Sequence, residues 1–340
     1  MHIGIAFDLK ADVAAVHGST GPDDSLEEYD SPETVDAIER ALIGLGHHVS
    51  RLGGGRRFLA AVLASPPDLV FNFSEGYGSR AREAHVPAVC EMLGIPCTLS
   101  DPLTMAVALD KGMAKRIVAA AGVATPRFTV IETATDLDRV SLAYPLFAKP
   151  LFEGSSMGIR RHSRLASQAD LHEHVGRLLA DYGQPVLVEE YCSGPEFTVA
   201  IIGTGVGARV AGVMALVPTR VAAADFIYSL EVKRNVNWKD ELQYVVPPDL
   251  PAGEVEAIGA LARGAYQALG CRDIARIDVR MDGERIPRFI EANPLPGLVP
   301  GWSDLVIMWD RLGRSYDDLV ATIVAEACQR LSLGETAGKQ

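Results

Sequence analysis

The chain has little of what marks a secreted, membrane-bound or zinc-scaffold protein. It contains five cysteines in 340 residues and no CxxC pair, so we expect neither a disulfide framework nor a zinc knuckle. No apolar run approaches the roughly 18 residues of a membrane-spanning helix, and the first residues lack the basic and apolar regions of a secretory signal. These absences predict a cytoplasmic protein with no membrane partner.

An excess of positive charge is also missing. The 32 lysines and arginines face 44 aspartates and glutamates, which gives a formal net charge of −12. We therefore expect no nucleic-acid partner, although a local basic site for a phosphate remains possible. Hydrophobic residues make up 48% and charged residues 22% of the chain, as in folded proteins, and at roughly 150 residues per domain the length predicts two or three domains.

Common catalytic motifs are absent as well. The glycines at 154 and 158 are not followed by the GKS or GKT of a P-loop, and no GxSxG elbow or Cys/His motif indicates a nucleophilic hydrolase. The histidines at 47, 48, 172 and 174 have no metal-ligand spacing, which favours solvated or structural roles.

Strand and helix patterns alternate over the first hundred residues. Apolar runs at 2–8 and 68–73 are typical of buried parallel strands, and helical spacing follows at 31–45 and 86–93. This alternation is typical of layered α/β proteins. We therefore predict a parallel α/β domain over residues 1–101.

Beyond residue 101 the pattern changes to α+β. Helical segments at 102–121 and 165–181 are interspersed with short strand patterns. We predict a central lobe over 102–185 and a C-terminal lobe over 186–340.

Two strand patterns joined by a short turn carry three oxygen donors. The first strand contains Asp278, and the second carries Glu291 and Asn293 on one face by period-2 alternation. Two carboxylates and an amide would suit Mg²⁺, which takes further ligands from phosphate and water. The alternative is a solvated hairpin with ordinary surface acids.

A glycine-rich segment, residues 153–158, follows the strand-end lysine Lys149. A point charge beside a loop with free backbone N–H groups is what a polyphosphate needs, so this segment is a candidate phosphate site. The alternative is a β-turn with a lysine that reaches into solvent.

An apolar strand pattern at 186–191 runs into Glu189 and Glu190, and Glu196 follows it. Such a strand could offer backbone hydrogen bonds and carboxylates to an adenine and a ribose. An exposed strand end is the alternative.

Taken together, in this order and separation, these motifs resemble the ATP-grasp superfamily and, within it, the D-alanine:D-alanine ligase branch. The resemblance runs from about Asp68 to Val320. It rests on Asp110-Lys111, Lys149-Pro150, Glu153-Gly154-Ser155-Ser156-Met157-Gly158, Val188-Glu189-Glu190, Gly194-Pro195-Glu196, Arg276-Ile277-Asp278 and Glu291-Ala292-Asn293-Pro294-Leu295-Pro296-Gly297.

The resemblance implies an ATP-grasp fold of three domains, in which a parallel α/β domain precedes two lobes that clasp ATP. It implies an ATP-dependent ligase that joins a carboxylate to an amine through an acyl phosphate and releases ADP and phosphate. The implied cofactors are ATP and two Mg²⁺ ions, with Mn²⁺ as a possible substitute. The implied partners are small amino-acid substrates, and a homodimer is possible.

Individual roles also follow from the resemblance. The implied nucleotide contacts are Lys111, Lys149, Glu153, Ser155, Ser156, Glu189, Glu190 and Glu196. The implied metal ligands are Asp278, Glu291 and Asn293. Arg276 matches the arginine that stabilises the oxyanions of the reaction, while Lys233 and Ser155 match the lid lysine and the active-site serine.

The segments that would face the substrates depart from that branch. Glu75 stands where the branch carries a histidine, Arg80 follows it, and Arg234 stands where the branch carries a lid tyrosine. The candidate substrate residues are Glu27, Glu75, Arg80, Arg234 and Ser303, with Glu28 as the alternative to Glu27.

These departures, beside a complete nucleotide set, predict the same chemistry on a substrate other than plain D-alanine. A buried charge is costly unless it has a partner, and we expect a larger substrate to supply that partner. True D-alanine:D-alanine ligation is the alternative within this class. A non-catalytic nucleotide-binding regulatory protein is the alternative of another class, and the complete set of lysines, arginine and metal ligands argues against it.

Overall fold

The computed structural model describes residues 1–17, 21–235 and 240–333. The N-terminal domain consists of β1 (His2–Ala6), α1 (Lys10–His17), α2 (Pro32–Gly44), β2 (His48–Arg51), α3 (Gly55–Ala64), β3 (Leu69–Asn72) and α4 (His85–Leu93). Its strands form a parallel sheet in the order β2-β1-β3. On β1, Ile3 and Ile5 pack in the core that contains α2, whereas Ala6 packs in the core that contains α3 and α4. Both faces of β1 are covered, and its last four residues, at positions 3–6, are apolar and buried.

The central part of the chain consists of α5 (Pro102–Leu109), α6 (Lys111–Ala120), β4 (Phe128–Ile131), β5 (Leu146–Pro150), β6 (Arg164–Leu165), α7 (Gln168–Tyr182) and β7 (Val186–Glu190). Its strands form an antiparallel sheet in the order β4-β7-β5-β6. The single helix expected over 102–121 is broken at Asp110. The Asp110 carboxylate accepts a hydrogen bond from the Met113 N–H at 3.0 Å and so caps a new helix.

The C-terminal part consists of β8 (Glu196–Ile202), β9 (Arg209–Pro218), α8 (Leu230–Arg234), β10 (Leu242–Val245), α9 (Ala252–Ala268), β11 (Ile274–Met281), β12 (Pro287–Asn293), α10 (Asp304–Arg311) and α11 (Tyr316–Leu331). Its five strands form an antiparallel sheet in the order β10-β9-β8-β11-β12. One face of β11 buries Ala275, Ile277 and Val279 against α6 and α9. The strand therefore turns its polar residues to the opposite face.

Strand pairing and core packing cross the predicted domain boundaries. β7 pairs with β4 and β5, so the central sheet extends past the boundary predicted between residues 185 and 186 and reaches Glu190. The lobe predicted to start at residue 102 also shares a core with the C-terminal sheet, because Ala114 and Val118 of α6 pack there. Sequence-local patterns do not show which sheet a strand or helix joins.

No helix in the described ranges 1–17, 21–235 and 240–333 is long and apolar enough to cross a membrane.

A buried ion pair fastens the last helix to the rest of the molecule. Arg330 of α11 donates hydrogen bonds to the two carboxylate oxygens of Asp273, at 2.7 and 2.9 Å, and to the Cys97 carbonyl at 2.9 Å. Asp273 is fully buried and also accepts a hydrogen bond from the Leu99 N–H at 2.7 Å. The pair therefore connects the N-terminal domain, the C-terminal sheet and α11.

We predict that Arg330→Met lowers the free energy of unfolding by about 3–5 kcal/mol, because it leaves the Asp273 carboxylate buried without its partner. Urea denaturation measures the loss. The control is Arg209→Met, since Arg209 pairs with Glu326 of the same helix at 2.7 Å but is 58% exposed. The control should cost no more than about 1 kcal/mol, and equal losses in both variants would contradict the assigned role of Arg330.

Candidate active site

A cleft lies between the central and C-terminal sheets. The alternation of β11 turns Arg276, Asp278 and Arg280 into this cleft. The neighbouring strand β8 places Thr198 opposite Asp278 and Glu196 opposite Arg280. The register of one sheet thus assembles a continuous row of charged and polar groups along one wall of the cleft.

Lys149 crosses the cleft from β5 to β12. Its Nζ lies 3.0 Å from Oε2 of Glu291 and 3.8 Å from Oε1 of Glu189, and 3% of its side chain is exposed. Burial opposes a charge on Lys149, but the two carboxylates outweigh burial and raise its pKa. Lys111 approaches the same Glu291 oxygen at 3.9 Å. The two lysines expected to bind phosphates therefore converge on one carboxylate.

The three expected metal ligands are neighbours at the end of the β11–β12 hairpin. Asp278 lies opposite Glu291, Arg276 lies opposite Asn293, and the Asn293 amide donates a hydrogen bond to Asp278 at 3.0 Å. Among the residues that the structure describes, no group of three or more His, Cys, Asp or Glu side chains could hold a metal by itself. The two carboxylates and the amide are nevertheless hard oxygen donors that fit Mg²⁺, which would complete its coordination with phosphate oxygens and water.

Lys115 is a buried lysine that the sequence analysis missed. Its Nζ lies 2.7 Å from Oε2 of Glu189 and donates hydrogen bonds to Thr125 Oγ1 at 2.9 Å and to the Phe289 carbonyl at 3.3 Å. Complete burial lowers its pKa, and its contacts hold the Glu189 carboxylate in place. The spacing of four residues from Lys111, which puts both lysines on one face of α6, is the signal that could have identified it.

The end of the cleft near Glu196 is organised by Arg280. This buried guanidinium donates hydrogen bonds to the Glu196 carboxylate at 3.2 Å and to the Tyr191 hydroxyl at 2.7 Å. Glu190 also lines the cleft, but its carboxylate pairs with Arg127 at 3.2 Å. Of the three glutamates expected to contact the nucleoside, Glu189 and Glu196 are therefore held within the cleft, whereas Glu190 pairs with an arginine outside it.

The glycine-rich loop turns its residues in different directions. Ser155 and Ser156 have φ angles of 48° and 61°, and non-glycine residues in such conformations cluster at functional sites. Ser156 lines the cleft, whereas Ser155 lines a second cavity. The Glu153 carboxylate, expected to contact nucleotide, instead accepts hydrogen bonds from Arg82 at 3.3 Å and from Gln184 at 2.5 Å. Glu153 therefore connects the loop to the N-terminal domain, because the buried Arg82 attracts its carboxylate.

The second cavity extends from the N-terminal domain to the C-terminal sheet. The sequence-derived candidates that line it are Glu27, Glu28, Glu75, Ser155, Lys233, Arg234, Arg276, Asn293 and Ser303. Arg80 does not line it, because its side chain is exposed and lies 5.9 Å from the centre of the Phe152 ring. Arg82, two residues further along, is the buried arginine of this segment.

Arg234, one of the residues expected to meet a larger substrate, finds its partners within the protein, as does the buried Arg82. Arg234 lies 2.8 Å from Asp23 and 2.9 Å from Glu27. Arg82 donates two hydrogen bonds of 2.9 Å to Glu28. Because these ion pairs already balance the charges, they remove the main argument for a substrate that carries additional charges.

Glu75 lies among other carboxylates. Burial raises its pKa well above the ordinary value, and the neighbouring carboxylates Glu28 and Glu83 raise it further, whereas Arg82 lowers it. Ser303, at the far side of the cavity, accepts a hydrogen bond from the Val299 N–H at 3.0 Å and so closes a loop.

Within the described part of the chain, four side chains line both cavities, namely Tyr228, Lys233, Arg276 and Asp304. Arg276 donates two hydrogen bonds of 3.1 Å to Asp278. The ammonium group of Lys233 lies 4.8 Å from the centre of the Tyr228 ring. Two cations thus stand where a group bound in one cavity would meet a group bound in the other, an arrangement that suits group transfer with charge stabilisation.

A solved structure shares this fold along nearly its whole length. It is titled "Crystal Structure of D-alanine--D-Alanine Ligase from Bacillus anthracis complexed with ATP", and it matches with a TM-score of 0.72, 20% identity and coverage of 98% of this chain and 99% of that chain. A second structure, "Crystal Structure of D-alanine--D-Alanine Ligase from Bacillus anthracis", matches with the same TM-score, identity and coverage. The likeness confirms the fold class that the sequence predicted.

Sequence comparison gives the family. The profile described as "D-ala D-ala ligase C-terminus" matches residues 117–325. A D-alanine--D-alanine ligase of Bordetella petrii is 35% identical over 294 residues, or 85% of each chain. A D-alanine--D-alanine ligase of Caulobacter vibrioides is 32% identical over 326 residues, or 96% of this chain and 95% of that protein. The chain belongs to the D-alanine–D-alanine ligase family, which confirms the predicted class of ATP-dependent ligases.

We predict that Asp278→Asn and Glu291→Gln each abolish turnover while the fold survives, because each removes a negative ligand of the predicted metal site. Phosphate release at increasing Mg²⁺ measures the effect, and circular dichroism checks the fold. Asp282→Asn is the control on the same hairpin, since Asp282 pairs with Arg288 at 2.8 Å and lines neither cavity. Near wild-type activity of either test variant at saturating Mg²⁺ would show that the metal site is elsewhere.

We predict that Lys149→Met weakens ATP binding and slows phosphoryl transfer, with a loss of about 2–4 kcal/mol of transition-state stabilisation. The values of kcat and kcat/KM for ATP measure the loss. Arg127→Met is the control, because Arg127 is 68% exposed and pairs with Glu190, which lines the same cleft. Unchanged kinetics for Lys149→Met would exclude a phosphate-binding role for this lysine.

Proposed function

We propose that the chain is a D-alanine:D-alanine ligase, which joins the carboxylate of one D-alanine to the amine of a second with ATP as the phosphoryl donor. Curated relatives with this name support the proposal, at 32–35% identity over 85–96% of the chain. The single structural observation that carries it is the boundary between the cavities, where Arg276 and Lys233 face both. Such a boundary brings a nucleotide phosphate and a substrate carboxylate together.

The proposed reaction has two displacement steps. A carboxylate oxygen of the first D-alanine attacks the γ-phosphorus of ATP and ADP leaves, which forms an acyl phosphate. The amine of the second D-alanine then attacks the carbonyl carbon, loses a proton and displaces phosphate. Arg276 stabilises the negative charge that develops on the oxygens in both steps.

The cleft supplies the groups that hold the nucleotide. Lys111 and Lys149 bind the phosphates, and Glu189 and Glu196 contact the nucleoside, Glu189 held by Lys115 and Glu196 by Arg280. The ligands of the proposed Mg²⁺ ions are Asp278, Glu291 and Asn293. Bound Mg²⁺ would neutralise the phosphate charge that builds up during transfer.

D-alanine is favoured here as the substrate over the altered substrate that the sequence predicted. The relatives are named for D-alanine, and Arg234 and Arg82 are paired within the protein, so neither calls for a charged substrate. The regulatory alternative loses support as well, because the cleft keeps Lys149, Arg276 and Asp278 in place.

Incubation of the protein with ATP, Mg²⁺ and a panel of D- and L-amino acids tests the proposal. We expect phosphate release to be fastest with D-alanine alone and mass spectrometry to detect D-alanyl-D-alanine, because Arg234 is already paired within the protein and the curated relatives are named for D-alanine. Phosphate release that requires a charged amino acid would reinstate the altered substrate. Bound ATP with no phosphate release for any pair would support the regulatory reading.

A further inference from the structure

Asp304 is a buried carboxylate at the boundary of the two cavities, and the sequence motifs assign it no role. It begins α10 and is 7% exposed. Its Oδ1 accepts hydrogen bonds from the hydroxyls of Tyr228 and Tyr244, at 3.1 Å each, and these hydroxyls lie 2.6 Å apart. One carboxylate oxygen is thus fixed in position by two aromatic side chains from different parts of the chain.

The other oxygen of Asp304 faces Arg276. The distance from Oδ2 to Arg276 Nη1 is 3.5 Å, while the Nε and Nη2 atoms of the same guanidinium bind Asp278. Arg276 is therefore held between two carboxylates on different elements. Since its planar donors must point in fixed directions, two anchors define its orientation better than one.

The two anchors differ in what else they bind. Asp278 also accepts hydrogen bonds from Thr198 at 2.6 Å and from Asn293 at 3.0 Å, and it is a ligand of the proposed Mg²⁺ site. A bound cation would draw electron density from Asp278 and weaken its hold on Arg276. Asp304 is outside the metal ligand set, so its attraction for Arg276 does not depend on the metal.

Asp304 also balances the charge of this boundary. Lys233 lies over the ring of Tyr228, whose hydroxyl is bound to Asp304. Without the Asp304 carboxylate, Lys233 and Arg276 would share a partly desolvated boundary with Glu291 and Asp278 as the neighbouring anions. Uncompensated cations in such surroundings move towards solvent or towards other partners.

We propose that Asp304 is a positioning residue whose carboxylate, fixed by Tyr228 and Tyr244, keeps Arg276 directed at the boundary between the cavities. This inference rests on the proposed function, because it assumes that Arg276 stabilises charge during ligation. Asp304 itself acts through Arg276 and touches no reacting atom.

A double-mutant cycle tests the proposal. Asp304→Asn keeps an oxygen that can accept the tyrosine hydrogen bonds but removes the charge that attracts Arg276. We expect Asp304→Asn to lower kcat about 10–100-fold, the usual effect of removing a partner that orients an active-site group, with little change in KM for ATP. In the Arg276→Ala background, the same substitution should change kcat less than about twofold, because its target is gone. Asp310→Asn, an exposed aspartate of the same helix, is the control and should behave as the wild type.

Two kinetic outcomes would overturn the proposal. An equal loss in the wild-type and Arg276→Ala backgrounds would show that Asp304 acts independently of Arg276, and unchanged kcat in Asp304→Asn would show that it does not position the arginine. If the wild-type protein makes no D-alanyl-D-alanine, the proposed function fails, and the cycle is measured with the amino-acid pair that the panel identifies.

A crystal structure of Asp304→Asn with a non-hydrolysable ATP analogue and Mg²⁺ gives a readout that needs no amino-acid substrate. We expect the Arg276 guanidinium to leave the boundary in the variant and to stay there in the wild-type complex. An Arg276 position shared by both complexes would overturn the proposal even if activity were lost.

Discussion

The contact between Lys149 and Glu291 is the interaction on which the site depends. It joins β5 of the central sheet to β12 of the C-terminal sheet across the cleft, at 3.0 Å. Burial disfavours the charge on either group alone, but Lys149 and Lys111 hold the pKa of Glu291 below its ordinary range. In the proposed reaction the lysines turn to the phosphates and Glu291 to the metal, so every buried charge keeps a partner when the nucleotide binds.

The N-terminal domain closes the substrate side through a second set of charge contacts. Buried Asp24 accepts hydrogen bonds from the Gly158 N–H at 3.0 Å and from the Tyr182 hydroxyl at 2.8 Å. Together with the contacts of Arg82 and Arg234, this fastens the glycine-rich loop and α8 to one domain. These charges tie the substrate-facing segments to one another, so they do not by themselves require a charged substrate.

Much of the site follows from local rules that the sequence displays. Period-2 alternation and a short turn predicted that Asp278, Glu291 and Asn293 would meet, and the register of β11 and β12 places them together. What the sequence could not show depends on contacts between distant segments. Nothing in the sequence around Lys115 shows that Glu189 lies beside it in the fold. Likewise, Tyr228 and Asp304 are 76 residues apart in sequence, and only the fold brings them into contact. The loop around Arg80 has no periodicity, so nothing local distinguishes this exposed arginine from the buried Arg82.

In the proposed reaction, the phosphoryl group of ATP passes to a substrate carboxylate at the boundary between the cavities. The most direct measurement uses D-alanine labelled with ¹⁸O in its carboxylate and analyses the released phosphate by mass spectrometry. An acyl phosphate carries the attacking carboxylate oxygen into the phosphate, so we predict one labelled oxygen for each phosphate released during ligation. Unlabelled phosphate accompanied by dipeptide would contradict the claim, because the carboxylate would then have been activated by another route.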